Sequence, residues 1–353
     1  VLLLPTIGLF TPDLPAPLRT VLAPKEAWWD RASERLDPYI NNVFGFRGAV
    51  LAAHATYGRW IGAGTDRVLK GEGGALFIKD EQAVEQSLGQ LVRPDVVTQV
   101  ADVAATLNAY MQKKGGRFVM LVPPNGATTN FELLPAYARH LKTSPTEYDL
   151  LAAALKQRGI TFVDVRPILK AAKAGGPVHF LHDTHWNQRA ALLSFNATTA
   201  AAGRPDLEVD PKEALEPATA RDKGDLLRLL GETASGKPDR EYPFKAPFHR
   251  PELEELTPLE GVVPPVGPKD DHSFQAMAYQ GMKADGPRIM VIGDSFTHWS
   301  WAGLLKSETS AFAWMHHHYC RFDMNIVRRF NPDILIFAPT ERQAFCKGPI
   351  TGL

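Results

Sequence analysis

The sequence has little of what identifies several large classes of protein. Lys plus Arg and Asp plus Glu number 39 each, so the formal net charge is zero. We therefore expect no nucleic-acid partner, because binding to nucleic acids depends on a surface rich in Lys and Arg. Only two cysteines occur, Cys320 and Cys346. They do not identify the compartment, since two buried free thiols in a cytosolic enzyme would look the same in sequence.

A long hydrophobic run is also missing. The mostly apolar residues 1–10 are too few for a helix that spans a bilayer, which needs about 20 residues. We interpret them as the remainder of a removed signal or of an inner-membrane anchor, although an ordinary buried strand would have the same composition. The first interpretation predicts an exported protein.

Three consecutive histidines, His316, His317 and His318, form a candidate metal motif. Consecutive residues of a strand point to alternate faces, so the three imidazoles would not meet at one ion. We therefore expect neither a metal nor another cofactor.

Helical and strand-like segments alternate along the 353 residues, of which 44% are hydrophobic. This alternation predicts βαβ units in one large α/β domain over residues 11–353, with a parallel sheet and helices on both faces. The predicted helices cover 27–42, 49–61, 94–114, 148–158 and 188–200, the predicted strands 117–122, 160–165, 289–292, 309–317 and 333–337, and a hairpin or short strand 70–78.

Between 203 and 286 the periodicity gives way to Pro- and charge-rich sequence. This predicts a loop-rich insertion with one short helix at 224–230. A lid and a simple surface excursion are both consistent with the pattern.

The apolar residues 289–292 lead directly into Gly293-Asp294-Ser295. A short apolar run that ends at a glycine is typical of a strand buried on both faces and followed by a sharp turn into a helix. Ser295 would then lie at the carboxyl end of the strand, where ligands bind in open α/β sheets, and is a candidate nucleophile. A simple helix cap explains the tripeptide alone equally well.

A second motif, Asp183-Thr184-His185, favours the nucleophile. A serine hydroxyl needs a base to take its proton, and an imidazole does this best when a carboxylate fixes its tautomer. In an extended segment the side chains at i and i+2 share one face, so Asp183 and His185 are the candidate pair. Each taken singly would be interpreted as structural, His185 as a buried histidine and Asp183 as a cap. Asn187 is predicted to cap the helix that follows.

The serine motif, with an Asp and a His elsewhere, resembles the SGNH hydrolases, whose fold is a flavodoxin-like three-layer α/β structure. In that family the serine motif opens the domain and the Asp-His motif closes it, whereas here the order is reversed. The resemblance implies a circular permutation in which 117–122 and 160–165 match the family's fourth and fifth strands and 333–337 its third.

This permuted order narrows the resemblance to the AlgJ/AlgX family of periplasmic alginate O-acetyltransferases. Similar segments are 41–47, the Gly-rich hairpin that ends at Leu76-Phe77, and 183–187, in which Asp-Thr-His-Trp is the specific motif. The resemblance implies a periplasmic location, a polysaccharide substrate, and a membrane-bound acyltransferase as the acetyl donor.

The resemblance further implies Ser295 as nucleophile, His185 as general base and Asp183 as the partner that orients the base. Acetyl would pass through an acetyl-serine to a sugar hydroxyl. Transfer and hydrolysis differ only in which hydroxyl attacks the acyl-enzyme, so a secreted carbohydrate acetylesterase is the alternative. A noncatalytic polysaccharide-binding subunit of an export complex is a further alternative, which an intact Ser, His and Asp set disfavours.

The sequence departs from the SGNH pattern at one place. Where ordinary SGNH enzymes carry an Asn in the oxyanion hole, this chain has Thr340-Glu341-Arg342. Arg342 and Glu341 are therefore candidates for oxyanion or substrate contacts, together with Asn125 and Trp186.

The two cysteines follow neighbouring predicted strands, Cys320 after 309–317 and Cys346 after 333–337. Both are expected at the same edge of the sheet. In an exported protein they are predicted to form a disulfide.

Overall fold

The computed structural model describes residues 64–233, 235–264 and 274–352. The residues from Arg67 to Leu353 form one compact unit. The N-terminal stub, the predicted helices at 27–42 and 49–61, and segment 41–47 lie outside the described residues. Among the helices that are described, none is both long enough and apolar enough to cross a membrane.

Ten strands and twelve α-helices are described. The strands are β1 (Val68–Lys70), β2 (Leu76–Ile78), β3 (Arg117–Leu121), β4 (Phe162–Val163), β5 (Thr219–Arg221), β6 (Asp239–Glu241), β7 (Met277–Gln280), β8 (Arg288–Gly293), β9 (Ala311–His316) and β10 (Ile334–Ala338). The helices are α1 (Ala83–Ser87), α2 (Pro94–Lys113), α3 (Gly126–Thr129), α4 (Ala136–Arg139), α5 (Glu147–Gln157), α6 (Arg166–Ala172), α7 (Gln188–Ala201), α8 (Pro211–Ala214), α9 (Asp225–Leu229), α10 (Ser295–Ser300), α11 (Ala302–Glu308) and α12 (Met324–Phe330).

The main sheet has six strands in the order β4-β3-β10-β8-β9-β7. Strands β4 to β9 in this order are parallel to their neighbours. Counting β8, β9, β10, β3 and β4 as first to fifth, the order is 5-4-3-1-2, which is the flavodoxin-like order 2-1-3-4-5 read from the other edge. This topology confirms the permuted fold that the motif order predicted.

The sheet differs from the prediction at one edge, where β7 pairs antiparallel with β9. Strand β7 lies inside the segment predicted to be an insertion, and its four residues gave no periodic signal. An antiparallel edge strand on an otherwise parallel sheet is common. The predicted strand 160–165 is also shorter than expected, because only Phe162 and Val163 pair with β3.

Residues of the buried strands alternate between two hydrophobic layers. In β8, Met290 and Ile292 pack with the layer that contains α2, α5 and α12. Ile289 and Val291 face the opposite layer, which contains α7, α10 and α11. All four side chains have no exposed surface, and burying each contributes roughly 1.5 to 3 kcal/mol. The continuous apolar run is therefore required, because both faces of the strand are covered.

The disulfide between Cys320 and Cys346 is present, with a Cα–Cα distance of 5.0 Å. It joins the segment that follows β9 to the segment that follows β10, so the predicted bond is confirmed, although the two strands are not neighbours because β8 lies between them. Closing a loop of this length stabilises the fold by roughly 3 to 4 kcal/mol in the chain-entropy account. The crosslink fixes two loops at the carboxyl edge of the sheet.

Candidate active site

The turn after β8 places Ser295 at the first position of α10. A Cβ atom at Gly293 would lie 2.3 Å from the hydroxyl oxygen of Thr297, so this close approach requires glycine. Asp294 is the N-cap, and its carboxylate accepts a hydrogen bond from the amide of Phe296 at 3.0 Å. The cap and the candidate nucleophile are thus two adjacent residues of one turn.

Asp294 also ties this turn to the loop after β10. Its Oδ2 accepts hydrogen bonds from the amide of Thr340 at 2.7 Å and from its hydroxyl at 2.6 Å. Burial alone would raise the pKa of Asp294, but His317 and these hydrogen bonds outweigh it and hold the pKa well below its usual range. Asp294 is therefore a permanent carboxylate that fixes the position of Ser295.

The segment that carries Asp183 and His185 forms a closed loop before α7. His179 and Trp186 pair as an antiparallel bridge at its base. The predicted cap is confirmed, since the Asn187 side chain accepts from the amide of Ala190 at 3.2 Å. The indole of Trp186 donates to the carbonyl of Phe296 at 3.0 Å, which attaches the loop to α10.

Three side chains form a continuous hydrogen-bonded chain across these two loops. His185 Nε2 lies 2.8 Å from Ser295 Oγ. His185 Nδ1 lies 2.6 Å from Asp183 Oδ1. With its Nδ1 proton donated to Asp183, the imidazole presents Nε2 as an acceptor for the serine proton. The arrangement has the distances and order of a nucleophile, a base and an orienting carboxylate.

Residues that sequence reasoning missed complete the surroundings of Asp183. Arg221 Nη2 donates to Asp183 Oδ2 at 2.8 Å, and Asp225 lies with its Oδ2 3.8 Å from His185 Nδ1. Burial would raise the pKa of Asp183, but the hydrogen bonds and charges of His185 and Arg221 lower it far below its usual range. The sequence predicted a helix at 224–230, and α9 begins at Asp225 after the N-cap Gly224, so this helix start was the available signal for Asp225.

Ser295 and His185 open onto a cleft of about 450 Å³. We call the part of its wall that comes from the loop after β8, with helix α10, and from residues 180–188 the sheet-edge side. The part that comes from segment 203–286 is the insertion side. The cleft is lined by Phe180, Asp183, His185, Trp186, Gln188, Arg221, Glu241, Pro243, Phe244, His249, Arg250, Ser295, Phe296 and Ser300. Segment 203–286 thus supplies a large part of the wall of the cleft, which a simple surface excursion would not do.

Sequence comparison identifies the family of this domain. Residues 68–313 match the SGNH hydrolase-like domain of the acetyltransferase AlgX. The chain belongs to this family. Its general class is therefore that of an acetyltransferase with an SGNH hydrolase-like fold. A search of curated proteins gave no match.

Solved structures share the fold at low sequence identity. PatB1 of Bacillus cereus has a TM-score of 0.58 at 14% identity, covering 80% of this chain and 98% of that one. A DHHW family protein from Eubacterium siraeum has 0.51 at 13%, covering 70% and 86%. The O-acetyltransferase domain of Pseudomonas putida AlgJ has 0.47 at 17%, covering 78% and 91%. The first two show a common fold.

In this AlgX-family domain, Glu341 and Asn125 bond to each other's loops. Glu341 Oε2 accepts from the amide of Asn125 at 2.8 Å and from the hydroxyl of Thr128 at 2.7 Å. Burial raises the pKa of Glu341. The Asn125 side chain donates to the carbonyl of Ala83 at 3.1 Å and accepts from the amide of Arg342 at 3.2 Å. These contacts join the loops after β3 and β10, and neither Glu341 nor Asn125 is among the residues that line the cleft.

Arg342 packs against Phe296, a residue of the cleft wall, with its guanidinium carbon 5.5 Å from the centre of the ring. Its Nε lies 3.9 Å from Glu81. The side chain is buried, and its Nη1 atom has no hydrogen-bond partner among the described residues. Arg342 is thus close to Phe296, the residue after Ser295, and its Nη1 is a donor without a partner among the described residues. Trp186 differs, because its indole N–H is already bonded to the carbonyl of Phe296.

Asp183, His185 and Asp225 offer ligand atoms within 4.8 Å of one another, a spacing that a metal ion could use. Arg221 already donates to Asp183 at 2.8 Å, and the hydroxyl of Thr184 donates to Asp225 at 2.5 Å. A guanidinium at this distance repels a cation, so the group fits a proton-transfer site better than a metal centre.

Proposed function

We propose that this domain transfers acetyl groups through an acetyl-Ser295 intermediate onto hydroxyl groups of an exported polysaccharide. The observation that carries the proposal is the chain of hydrogen bonds from Ser295 Oγ through His185 to Asp183, at 2.8 and 2.6 Å, among residues that line a cleft. We assign Ser295 as nucleophile, His185 as general base and acid, and Asp183 as the carboxylate that orients the imidazole.

Each half of the reaction uses His185 twice. His185 Nε2 takes the Ser295 proton as the hydroxyl attacks the acetyl carbonyl, and returns it to the leaving group of the donor. An acceptor hydroxyl then loses its proton to the same nitrogen as it attacks the acetyl-serine, and His185 returns that proton to Ser295. Asp183 stabilises the imidazolium that forms in both halves, without taking the proton.

The tetrahedral intermediates need hydrogen-bond donors for their oxyanion. The backbone amide of Ser295 is one candidate. The Arg342 side chain is the second candidate, because its Nη1 is buried without a partner and its guanidinium lies against Phe296. Asn125 and Glu341 are assigned to support the two loops, since their polar atoms are used within the fold.

The cleft suits a sugar chain. Phe244 is partly exposed and offers a flat apolar surface of the kind on which sugar rings stack, and Gln188 and Glu241, which hydrogen-bond to each other at 3.0 Å, bring polar atoms to the same wall. The disulfide supports an oxidising compartment, and we assign the domain to the periplasm with a membrane-bound acyltransferase as the acetyl donor.

Mass spectrometry of intact protein after incubation with an activated acetyl ester tests the proposal. One added acetyl group on the parent protein, absent from Ser295→Ala, is the expected result. Adding oligosaccharide should discharge the acetyl group onto the sugar faster than water does. Discharge to water alone at every sugar concentration would support the acetylesterase alternative, and a parent protein that never acquires acetyl would support a noncatalytic role.

A further inference from the structure

The two oxygen atoms of Asp183 have separate partners. Oδ1 faces His185, accepting from its Nδ1 at 2.6 Å and its amide at 3.2 Å. Oδ2 faces the insertion side, where it accepts from Arg221 Nη2 at 2.8 Å and from the amide of Asp225 at 3.4 Å. The insertion thus contacts the carboxylate that orients His185.

The contact from Arg221 is held rigidly. Arg221 ends β5, which pairs with β6, and its Nη1 donates to the carbonyl of Lys223 at 2.7 Å. Its guanidinium lies over the Phe180 ring at 4.3 Å, and its side chain is only 13% exposed. Since these contacts already fix the guanidinium, little side-chain entropy is lost in holding Asp183.

A charge of opposite sign approaches His185 from the same insertion. Asp225 Oδ2 lies 3.8 Å from His185 Nδ1. The carboxylate is fixed by the amide of Thr184 at 2.8 Å and by its hydroxyl at 2.5 Å. That hydroxyl is itself 3.3 Å from His185 Nδ1, so Asp225 reaches the imidazole both directly by charge and through Thr184.

We infer that Arg221 and Asp225 are positioning residues that set the proton affinity of His185 from opposite directions. Arg221 keeps Asp183 ionised and opposes the imidazolium, whereas Asp225 favours the imidazolium. The base must gain and lose a proton in each half-reaction, so neither form should be too stable. This inference rests on the proposed function of Ser295, His185 and Asp183.

Other charged or titratable groups near Arg221 and Asp225 also contribute to the electrostatic potential at His185. Burial lowers the pKa of His179 to about 4, so it is neutral near pH 7. Glu241 lies 3.8 Å from Arg221, and His249 and Arg250 line the same cleft. Arg221 and Asp225 lie within hydrogen-bond distance of Asp183, so these two insertion residues are the groups to vary.

The test is the pH profile of kcat/KM on a small acetyl ester for three variants and one control. In Arg221→Gln the loss of a cation should move the acid limb to higher pH, and in Asp225→Asn the loss of an anion should move it to lower pH. Each shift should be about half a pH unit or more. Arg221→Gln should also lose about tenfold in kcat/KM, as expected for one charge-assisted hydrogen bond. Arg221→Lys should restore most of this loss.

Arg158→Gln is the matched control, because it breaks an Arg–Asp pair of the same 2.8 Å length on the surface. It should leave the profile unchanged. The inference would be overturned if both variants fold and their acid limbs either stay at the parent's pH or move in the same direction. It would also be overturned if Arg221→Gln raised the KM for polymer without moving the acid limb, because Arg221 would then be a substrate contact. If Arg221→Gln does not fold, the direction of the Asp225→Asn shift decides.

The proposed function fails separately. If ester cleavage persists in Ser295→Ala, the assignment of Ser295, His185 and Asp183 as a catalytic triad is wrong. If the activity depends on Ser295 but the acid limbs of the pH profiles do not move, only the proposed roles of Arg221 and Asp225 are wrong.

Discussion

The sheet-edge side and the insertion side of the cleft are built in different ways. On the sheet-edge side, Asp294 is buried and bonded to Phe296 and Thr340, and its loop is the direct continuation of a central strand. On the insertion side, Arg221 belongs to a two-stranded ribbon and Asp225 to a five-residue helix, and both residues are partly exposed. One side fixes the position of the nucleophile, and the other adjusts the charge around the base.

The largest effect should come from the sheet-edge side, in Ser295→Ala. Removing a triad serine typically lowers the rate by on the order of 10⁶. We expect no measurable cleavage of an acetyl ester and an unchanged denaturation midpoint, because the hydroxyl contributes little to packing. Ser307→Ala, in α11 and outside the lining of the cleft, is the control. Activity within tenfold of the parent would refute the assignment of the nucleophile.

Arg342→Ala tests the proposed role of Arg342 as an oxyanion donor. Removing an oxyanion donor usually lowers kcat by about 10² to 10³, and this loss should appear on a small ester. The expected readout is a lowered kcat with little change in KM. A normal kcat on the ester with poorer transfer to polymer would make Arg342 a polymer contact instead. Normal values in both assays would leave it a structural residue.

Gly224→Ala tests the insertion side. A Cβ atom at this position would lie 1.8 Å from the carbonyl oxygen of His182, so the insertion and the loop that carries Asp183 must move apart. A displacement of this kind can cost about 10² in rate. We expect a lowered kcat and a smaller effect on stability. Lys223→Ala, at the exposed neighbouring position, should match the parent, and equal losses in both variants would contradict the steric explanation.

The smallest effect should be a pH dependence of stability centred on His179. Burial lowers its pKa from 6.5 to about 4, so the folded protein keeps it neutral while the unfolded chain protonates it below about pH 6.5. This stability is complete above pH 6.5 and is lost as the pH falls towards 4, by roughly 3 kcal/mol in all. Urea unfolding at pH 7 and pH 4.5 measures the loss. His179→Leu should reduce it, and His140→Leu, at an exposed position, should not.

The sheet-edge side could be predicted because its signals are local. Four apolar residues ending at Gly293 determine a buried strand and a turn, and parallel strands bring their carboxyl ends to one edge. The Asp183-Thr184-His185 spacing likewise indicated a pair of interacting side chains. The permuted strand order followed from the reversed order of these two motifs.

The insertion side could not be predicted in the same way. Arg221 reaches Asp183 across 38 residues of aperiodic sequence, and no repeating pattern links a ribbon of three-residue strands to a distant loop. Strand β7 was missed for the same reason, since a four-residue edge strand depends on its partner β9 more than on its own sequence. The destination of the Arg342 side chain depends on the packing of Phe296, which is a tertiary contact.

The permuted strand order has a consequence for folding. Strand β10 lies at the centre of the sheet, between β3 and β8, although it is the last strand of the described chain. Until β10 inserts, the β4-β3 pair and the β8-β9 pair have no shared neighbour and each has an open edge. The sheet therefore closes only after its most distant segments have met, which is a slow, nonlocal event. Ser295 follows β8 and His185 follows β4, on opposite sides of β10 in the strand order, so we expect the active site to be complete only once β10 has inserted.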